Sequence, residues 1–253
     1  MKLLQQSFNN QIKIQLKEAL SLELVQSFGF PRLKEFSEKN PDTGTFALRQ
    51  HMKLPESAPF ITNISHSEAV KIVENHTNLV FEIFHSNLIQ KWFTYLGDVF
   101  FLLISDNLLK KASFKIPEIK IDFSFVDIGD SSLAETIRSQ IVESFEYLSA
   151  EKKWDYLRRS LALEDPEIRE KYQIIKREII IRNLIQHNMG VVRPEDLKKA
   201  GVNCFTSDEG GSTTAFKENS RIRRGIFDLE NLVYAMEMVS LKITEKYEGY
   251  GKN

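Results

Sequence analysis

From Ser65 onward the polar and apolar positions fall into a helical rhythm. Val70, Val73, Thr77, Val80, Phe84, Leu88, Tyr95, Val99 and Leu102 recur at steps of mostly three and four residues, laying one apolar stripe along a helix. Ser65 and Glu68 stand at capping-box spacing, in which serine oxygen and glutamate each satisfy an orphan backbone N–H. The pattern predicts a helix that starts there and runs without proline to about Leu109, with Gly97 as its only weak point. The first 66 residues read differently, as short helices broken at FGFPRL, NPDTGT and LPESAP, each a turn signal built on Gly or Pro. They are expected to form an N-terminal helical appendage (1–66) that packs on the main domain (67–253) or docks a partner.

Residues 112–130, ASFKIPEIKIDFSFVDIGD, alternate polar and apolar positions, and Pro117 bars a helix interior there. A short strand or extended loop is expected. Helix resumes over Ser131–Leu148, where Ser132 and Glu135 repeat the capping-box spacing, and EKKWDYLRRSLAL predicts another short helix. EDPEIREKYQIIKREIIIRNLIQHN predicts the next. Asp165 is its cap, Pro166 its first residue, Glu167 and Glu170 sit near the positive end of the dipole, and Gly190 ends it. VRPEDLKKAG reads as a short capped helix and VNCFTSDEGGSTTAFKEN as a polar loop or small hairpin. A final helix from about Ile226 to Tyr247 places Leu229, Leu232, Met236, Val239, Ile243 and Tyr247 on one face. The expected fold class is all-α, a helical bundle with a small extended insertion at about 112–130 and an N-terminal helical appendage.

Composition narrows the function classes. Of 253 residues 42% are hydrophobic, enough to bury a sizeable core, and the formal net charge of −1 lacks the whole-chain basic footprint of a nucleic-acid coat. A local basic groove remains compatible with that balance, because the local field steers a phosphate chain. Cys204 stands alone, which excludes an intramolecular disulfide and a cysteine-rich zinc site. The N-terminus has no apolar core of signal-peptide length. The most apolar run, FTYLGDVFFLLISD, is too short to span a bilayer and carries Asp98. A cytoplasmic protein with no membrane partner is expected. His51, His66, His76 and His85 offer no H-x3-H or H-E-x-x-H spacing, and Gly210-Gly211-Ser212 lacks the lysine of a phosphate loop. No metal or cofactor is expected.

The chemistry concentrates at residues 181–190, IRNLIQHNMG. At about 100° per helical residue, Asn183 and His187 lie about 40° apart on one face, whereas Arg182 and His187 are about 140° apart. One helix does not set the arginine and histidine side by side. Two such helices facing each other across a dimer axis converge two of each on one cleft. That cleft suits metal-independent RNA cleavage, since RNA carries its own nucleophile, the 2′-OH. Histidine titrates near neutrality and shuttles protons, arginine offers a fixed fork to phosphate oxygens, and asparagine can orient either.

Arg182-Asn183-Leu-Ile-Gln-His187, followed by Asn188-Met-Gly190, resembles the signature of HEPN domains: Arg, a polar residue, then His four to six residues after the Arg, on the penultimate long helix of a small bundle. Phe81-Glu82 and Tyr95-Leu96-Gly97-Asp98 resemble the first long helix of the larger HEPN families, and the likeness covers roughly residues 68–247. The resemblance implies an endoribonuclease acting as a homodimer, with Arg182 stabilising phosphate charge, His187 transferring protons and Asn183 orienting one of them. It also implies a toxin or effector of prokaryotic defence or toxin–antitoxin systems, with a possible antitoxin or defence-complex partner. In members silenced by a nucleotidyltransferase a tyrosine follows the histidine by two residues; here that position is Met189, so the resemblance does not extend to that control. Asn188 and the cluster Arg221, Arg223 and Arg224, which follows the Gly-rich loop, are the candidate RNA contacts. The competing reading is a non-catalytic helical interaction module in which Arg182 and His187 make interface hydrogen bonds.

Overall fold

The computed structural model describes residues 1–39, 65–75, 78–109, 111, 114, 133–209 and 212–250. Among these the elements run α1 (Lys2–Lys39), α2 (His66–Asn75), α3 (Leu79–Leu108), α4 (Leu133–Glu146), α5 (Ala150–Ser160), α6 (Pro166–Asn188), α7 (Pro194–Ala200), β1 (Phe205–Glu209), β2 (Ser212–Phe216) and α8 (Ile226–Tyr250). The chain is mostly helical, as its periodicity requires. The turn signals NPDTGT and LPESAP, the extended insertion apart from Phe114, and the Ser132–Glu135 capping box lie outside the described residues.

Apolar stripes of α3, α6 and α8 build the main core, with α3 at its centre. Leu88, Trp92, Val99 and Leu103 of α3 are fully buried against Ile175 of α6 and Leu232, Met236 and Val239 of α8. α3 is a described helix long and apolar enough to cross a membrane, but 56% of its most apolar window is buried inside the bundle, where its stripe packs. Gly97 lets α4 close on this helix. A Cβ there would stand 2.3 Å from Glu146 Oε1, and near it Phe100 of α3 stacks on Phe145 of α4 at 4.0 Å.

The first helix shares this core. Phe8 stacks on Tyr95 at 4.3 Å, Ile12 is fully buried, and Ser240 of α8 donates to Asn9 Oδ1 at 2.9 Å. α1 also runs unbroken through FGFPRL, with Pro31 inside it, where the sequence predicts a break. An interior proline costs a helix about 3 kcal/mol, mainly through the lost i−4 bond and a ring clash. Here both Pro31 and Ser27, whose carbonyl the missing N–H would have met, are exposed, so water can take that bond. Beyond the proline the helix is held by burial of Ser37 and by the Lys34–Glu74 ion pair with α2 at 3.0 Å.

The single helix predicted over 65–109 is two helices. Ser65 and Glu68 do form the capping box, Glu68 N to Ser65 Oγ at 3.2 Å and Ser65 N to Glu68 Oε2 at 2.8 Å. The first of the two helices ends at Asn75, and Asn78, in a turn, stands just before Leu79 opens the second; both asparagines are weak helix formers whose short polar side chains compete for the backbone.

The chain around α6 follows its local signals. Ser149 caps α5, accepting from Lys152 N at 3.4 Å, and Asp165 caps α6, accepting from Glu167 N at 3.0 Å. α7 ends on Gly201 at a φ of 68°. The polar Gly-rich stretch is an antiparallel hairpin in register Phe205↔Phe216 through Glu209↔Ser212. Phe205 and Phe216 join Ile181, Leu184, Val192 and Ile222 in a second, smaller core against the last turns of α6.

Candidate functional site

α6 changes the face it buries along its length. In its first four turns Ile168, Tyr172, Ile175 and Ile179 face the main core; in its last two Ile181 and Leu184 face the second. Between these two burial faces the helix leaves a polar side. Asn183, Gln186 and His187 are exposed and Arg182 is half-buried. The apolar run IIIRNLI is thus divided between two cores, and the polar residues fill the side that neither covers.

Within the chain Arg182 engages Asn183 rather than His187, donating from Nη1 to Asn183 Oδ1 at 3.1 Å. Its Nε is buried without a hydrogen-bond partner among the described residues, and burial pushes the guanidinium pKa down. Arginine stays cationic under such a shift. His187 lies in the last turn of α6. One chain therefore offers a tethered arginine–asparagine pair and an exposed imidazole about 140° round the helix from the arginine.

The turn after His187 is tightly fixed. Met189 and Gly190 both adopt left-handed backbone, φ 50° and 77°, and Gly190 N donates to Leu184 O at 3.0 Å. Ile222 N donates to Gly190 O at 2.8 Å, and Val192 N to Ser220 O at 3.0 Å, so residues 219–222 run along the chain leaving α6. A Cβ on Gly190 would stand 3.2 Å from Ile222 O and 3.4 Å from Arg221 Cγ. Arg221 is therefore beside the end of the helix that carries His187.

The remaining candidates divide. Asn188 is half-buried; with its amide oriented to satisfy both its atoms it accepts from Arg193 Nη2 at 3.1 Å and Nε at 3.2 Å and donates to His187 O at 3.2 Å. Arg221 and Arg223 are exposed. Arg224 is a correction, because it is fully buried and cannot reach an RNA. The stretch 221–224 is extended, not the first turn of a helix, so successive side chains alternate: Arg221 out, Ile222 in, Arg223 out, Arg224 in. Arg224 forks onto Glu178, Nε to Oε2 at 2.9 Å and Nη2 to Oε1 at 3.3 Å.

That pair and its neighbours are what sequence reading missed. His85 of α3, also fully buried, sets Nε2 at 2.9 Å from the same Glu178 oxygen. Asp228 lies 3.6 Å from Arg224 Nη1 and accepts from Ser207 Oγ and from Gly225 N at 2.9 Å. Burial pushes Asp228 up, against the pull of Arg224. The one available signal was Glu178 itself, an acidic residue at a core position between Ile175 and Ile179.

Charge gathers locally at this end of α6. Leaving out the buried Arg224, residues 182–224 hold seven Lys and Arg against five Asp and Glu, a net of +2 in a chain whose whole net charge is −1. A separate cleft of about 400 Å³ between α5 and α6 also contains cations, but they are already paired, Lys176 with Glu151 at 2.7 Å and Arg169 with Glu164 at 3.4 Å. Among the described residues no three His, Cys, Asp or Glu side chains are grouped to hold a metal ion. No family model matches this chain, and no curated protein or solved structure matches it either.

Proposed function

We propose that the protein is an endoribonuclease of the HEPN type, acting as a homodimer whose active cleft combines Arg182, Asn183 and His187 from both copies, and that it serves as a toxin or effector in prokaryotic defence. The observation that carries this reading is the solvent-open Arg182–Asn183 pair with His187 exposed on the same helix end. A purely structural arginine and histidine are more simply satisfied within their own chain, and here the histidine is exposed with no hydrogen-bond partner for its ring among the described residues. The angular offset between Arg182 and His187 asks for a second copy to complete the cleft.

The chemistry needs no group beyond these side chains and the RNA. The 2′-oxygen attacks phosphorus as its proton passes to a base, the P–O5′ bond breaks, and the departing 5′-oxygen takes a proton. The products are a 2′,3′-cyclic phosphate and a 5′-hydroxyl. His187 gives or takes those protons, Arg182 neutralises the crowded phosphate, and Asn183 holds the guanidinium plane. Arg221, Arg223 and Asn188 would contact the flanking phosphates.

The test is cleavage of single-stranded RNA by the purified protein in EDTA. Arg182→Ala and His187→Ala should each reduce cleavage at least a hundredfold with the unfolding transition unchanged. Full activity in His187→Ala, or strict dependence on added metal, refutes the mechanism. Inactivity of the wild-type protein, with the same two variants disrupting a protein complex, would establish the interaction-module reading in its place.

A further inference from the structure

Glu178, Arg224 and His85 meet where α3, α6 and the chain entering α8 converge, and nothing in the RNA chemistry uses them. Arg224 spends its whole fork inside the protein. Nε and Nη2 go to Glu178, and Nη1 donates to Thr206 O at 2.9 Å. His85 holds Glu178 Oε2 from the other side at 2.9 Å. Buried ion pairs add little net stability over apolar side chains of similar volume. A guanidinium–carboxylate fork does, however, fix distance and plane together.

The location of this fork gives it a second role. Glu178 lies one turn before Arg182 on α6, so the two share one side of the helix. Arg224 lies three residues beyond Arg221 on the extended segment that pairs with the turn after His187. That segment is tied to α6 twice, by Ile222 N to Gly190 O at 2.8 Å and by Arg224 to Glu178 at 2.9 Å. Between those ties stands the exposed Arg223, and just before the first, beside Gly190, stands Arg221. Building on the ribonuclease reading, we propose that Glu178 and Arg224 are positioning residues that set the register of Arg221 and Arg223 against Arg182 and His187, so that one RNA strand meets the basic segment and the reacting trio at once. His85 fixes the Glu178 carboxylate plane from α3.

The test compares Glu178→Gln with the apolar pair Glu178→Leu/Arg224→Met. Two quantities are read below the unfolding transition of each protein: amide exchange at Ile222 relative to Val239 in the main core, and RNA cleavage per folded molecule with kcat and KM separated. The expected result for Glu178→Gln is Ile222 exchange accelerated at least tenfold over Val239, with kcat/KM at least tenfold lower. The apolar pair should recover the melting temperature but neither the Ile222 protection nor the cleavage. Exchange that changes only in step with Val239, or an apolar pair that cleaves like the wild type, overturns the proposal. Should the apolar pair not fold, the exchange ratio in Glu178→Gln decides alone. Absence of cleavage by the wild-type protein refutes the ribonuclease reading instead, and the exchange ratio still decides whether the fork sets the register.

Discussion

Met189 and Gly190 leave α6 side by side in left-handed backbone, and substitutions at the two should move stability in opposite directions. Met189 has a φ of 50° and is 80% exposed, so its side chain gives little in return for the strain. Left-handed backbone costs a non-glycine residue about 1–2 kcal/mol. A Met with a fifth of its surface buried contributes roughly 0.5 kcal/mol of apolar burial, and a new glycine loosens the unfolded chain by about 0.5 kcal/mol. Met189→Gly should therefore stabilise by about 0.5 kcal/mol, raising Tm by roughly 1–2 °C in a protein of this size. Gly190→Ala meets the same strain, about 1–2 kcal/mol. Its Cβ would also stand 3.2 Å from Ile222 O, in the segment whose N–H bonds Gly190 O. Losing that bond adds about 1 kcal/mol. Less about 0.5 kcal/mol for the stiffer unfolded chain, the sum of roughly 1.5–2.5 kcal/mol should lower Tm by about 3–10 °C. Differential scanning calorimetry on the two variants decides. Shifts of the same sign, or a neutral Gly190→Ala, would refute this account of the turn.

Three further outcomes follow from the polar core, the long first helix and the cap of α6. Burial alone would push the Glu178 carboxyl up, but the Arg224 charge and the His85 hydrogen bond outweigh it and hold it below the ordinary 4.5. With its folded value depressed, the contribution of Glu178 is fully present above about pH 4.5 and is lost as pH falls through that folded value. Glu178→Gln should cost roughly 3 kcal/mol of unfolding free energy at neutral pH, and urea titrations should show the gap narrowing in acid; a gap that stays constant down to pH 3 contradicts the pairing. Pro31→Ala restores an N–H within α1 and removes a penalty of about 3 kcal/mol from that helix. The gain should appear as slower amide exchange over the second half of α1, and unchanged exchange there argues against a continuous helix. Asp165→Ala removes the cap of α6 and should cost about 1 kcal/mol by the same titrations; no loss would mean that Pro166 alone sets the helix start.

What could be read from the sequence was whatever is decided within a turn of helix. Asp165-Pro166 and Ser65–Glu68 specify helix starts from their own side chains, and the structure makes those bonds. The stripe of α8 was equally legible, because Leu229, Leu232, Met236, Val239 and Ile243 all enter the core. Misreadings arose where two local signals compete or a distant partner decides. FGFPRL carries turn chemistry, yet α1 passes through it because packing holds the helix on the far side of the proline. From Val73 to Val80 the apolar spacing stays in phase, so periodicity alone does not mark where α2 ends and α3 begins.

The polar centre was illegible for a related reason. Charged residues in a sequence carry no mark of their burial, and the partners of Glu178 lie 93 residues before it and 46 after it. His85 was weighed only for metal-ligand spacing, and Arg224 was grouped with its two neighbours as one basic cluster. Backbone conformation separates them. In a helix, Arg221 and Arg224 at i and i+3 would share a face, whereas in an extended chain they point to opposite sides. The register of four residues thus decides which arginines meet solvent and which one anchors the segment. A substitution that turned 221–224 into a first helical turn would draw Arg224 out of the core and leave the buried Glu178 with His85 alone. The basic segment is therefore held extended by the same carboxylate that sits one turn below Arg182.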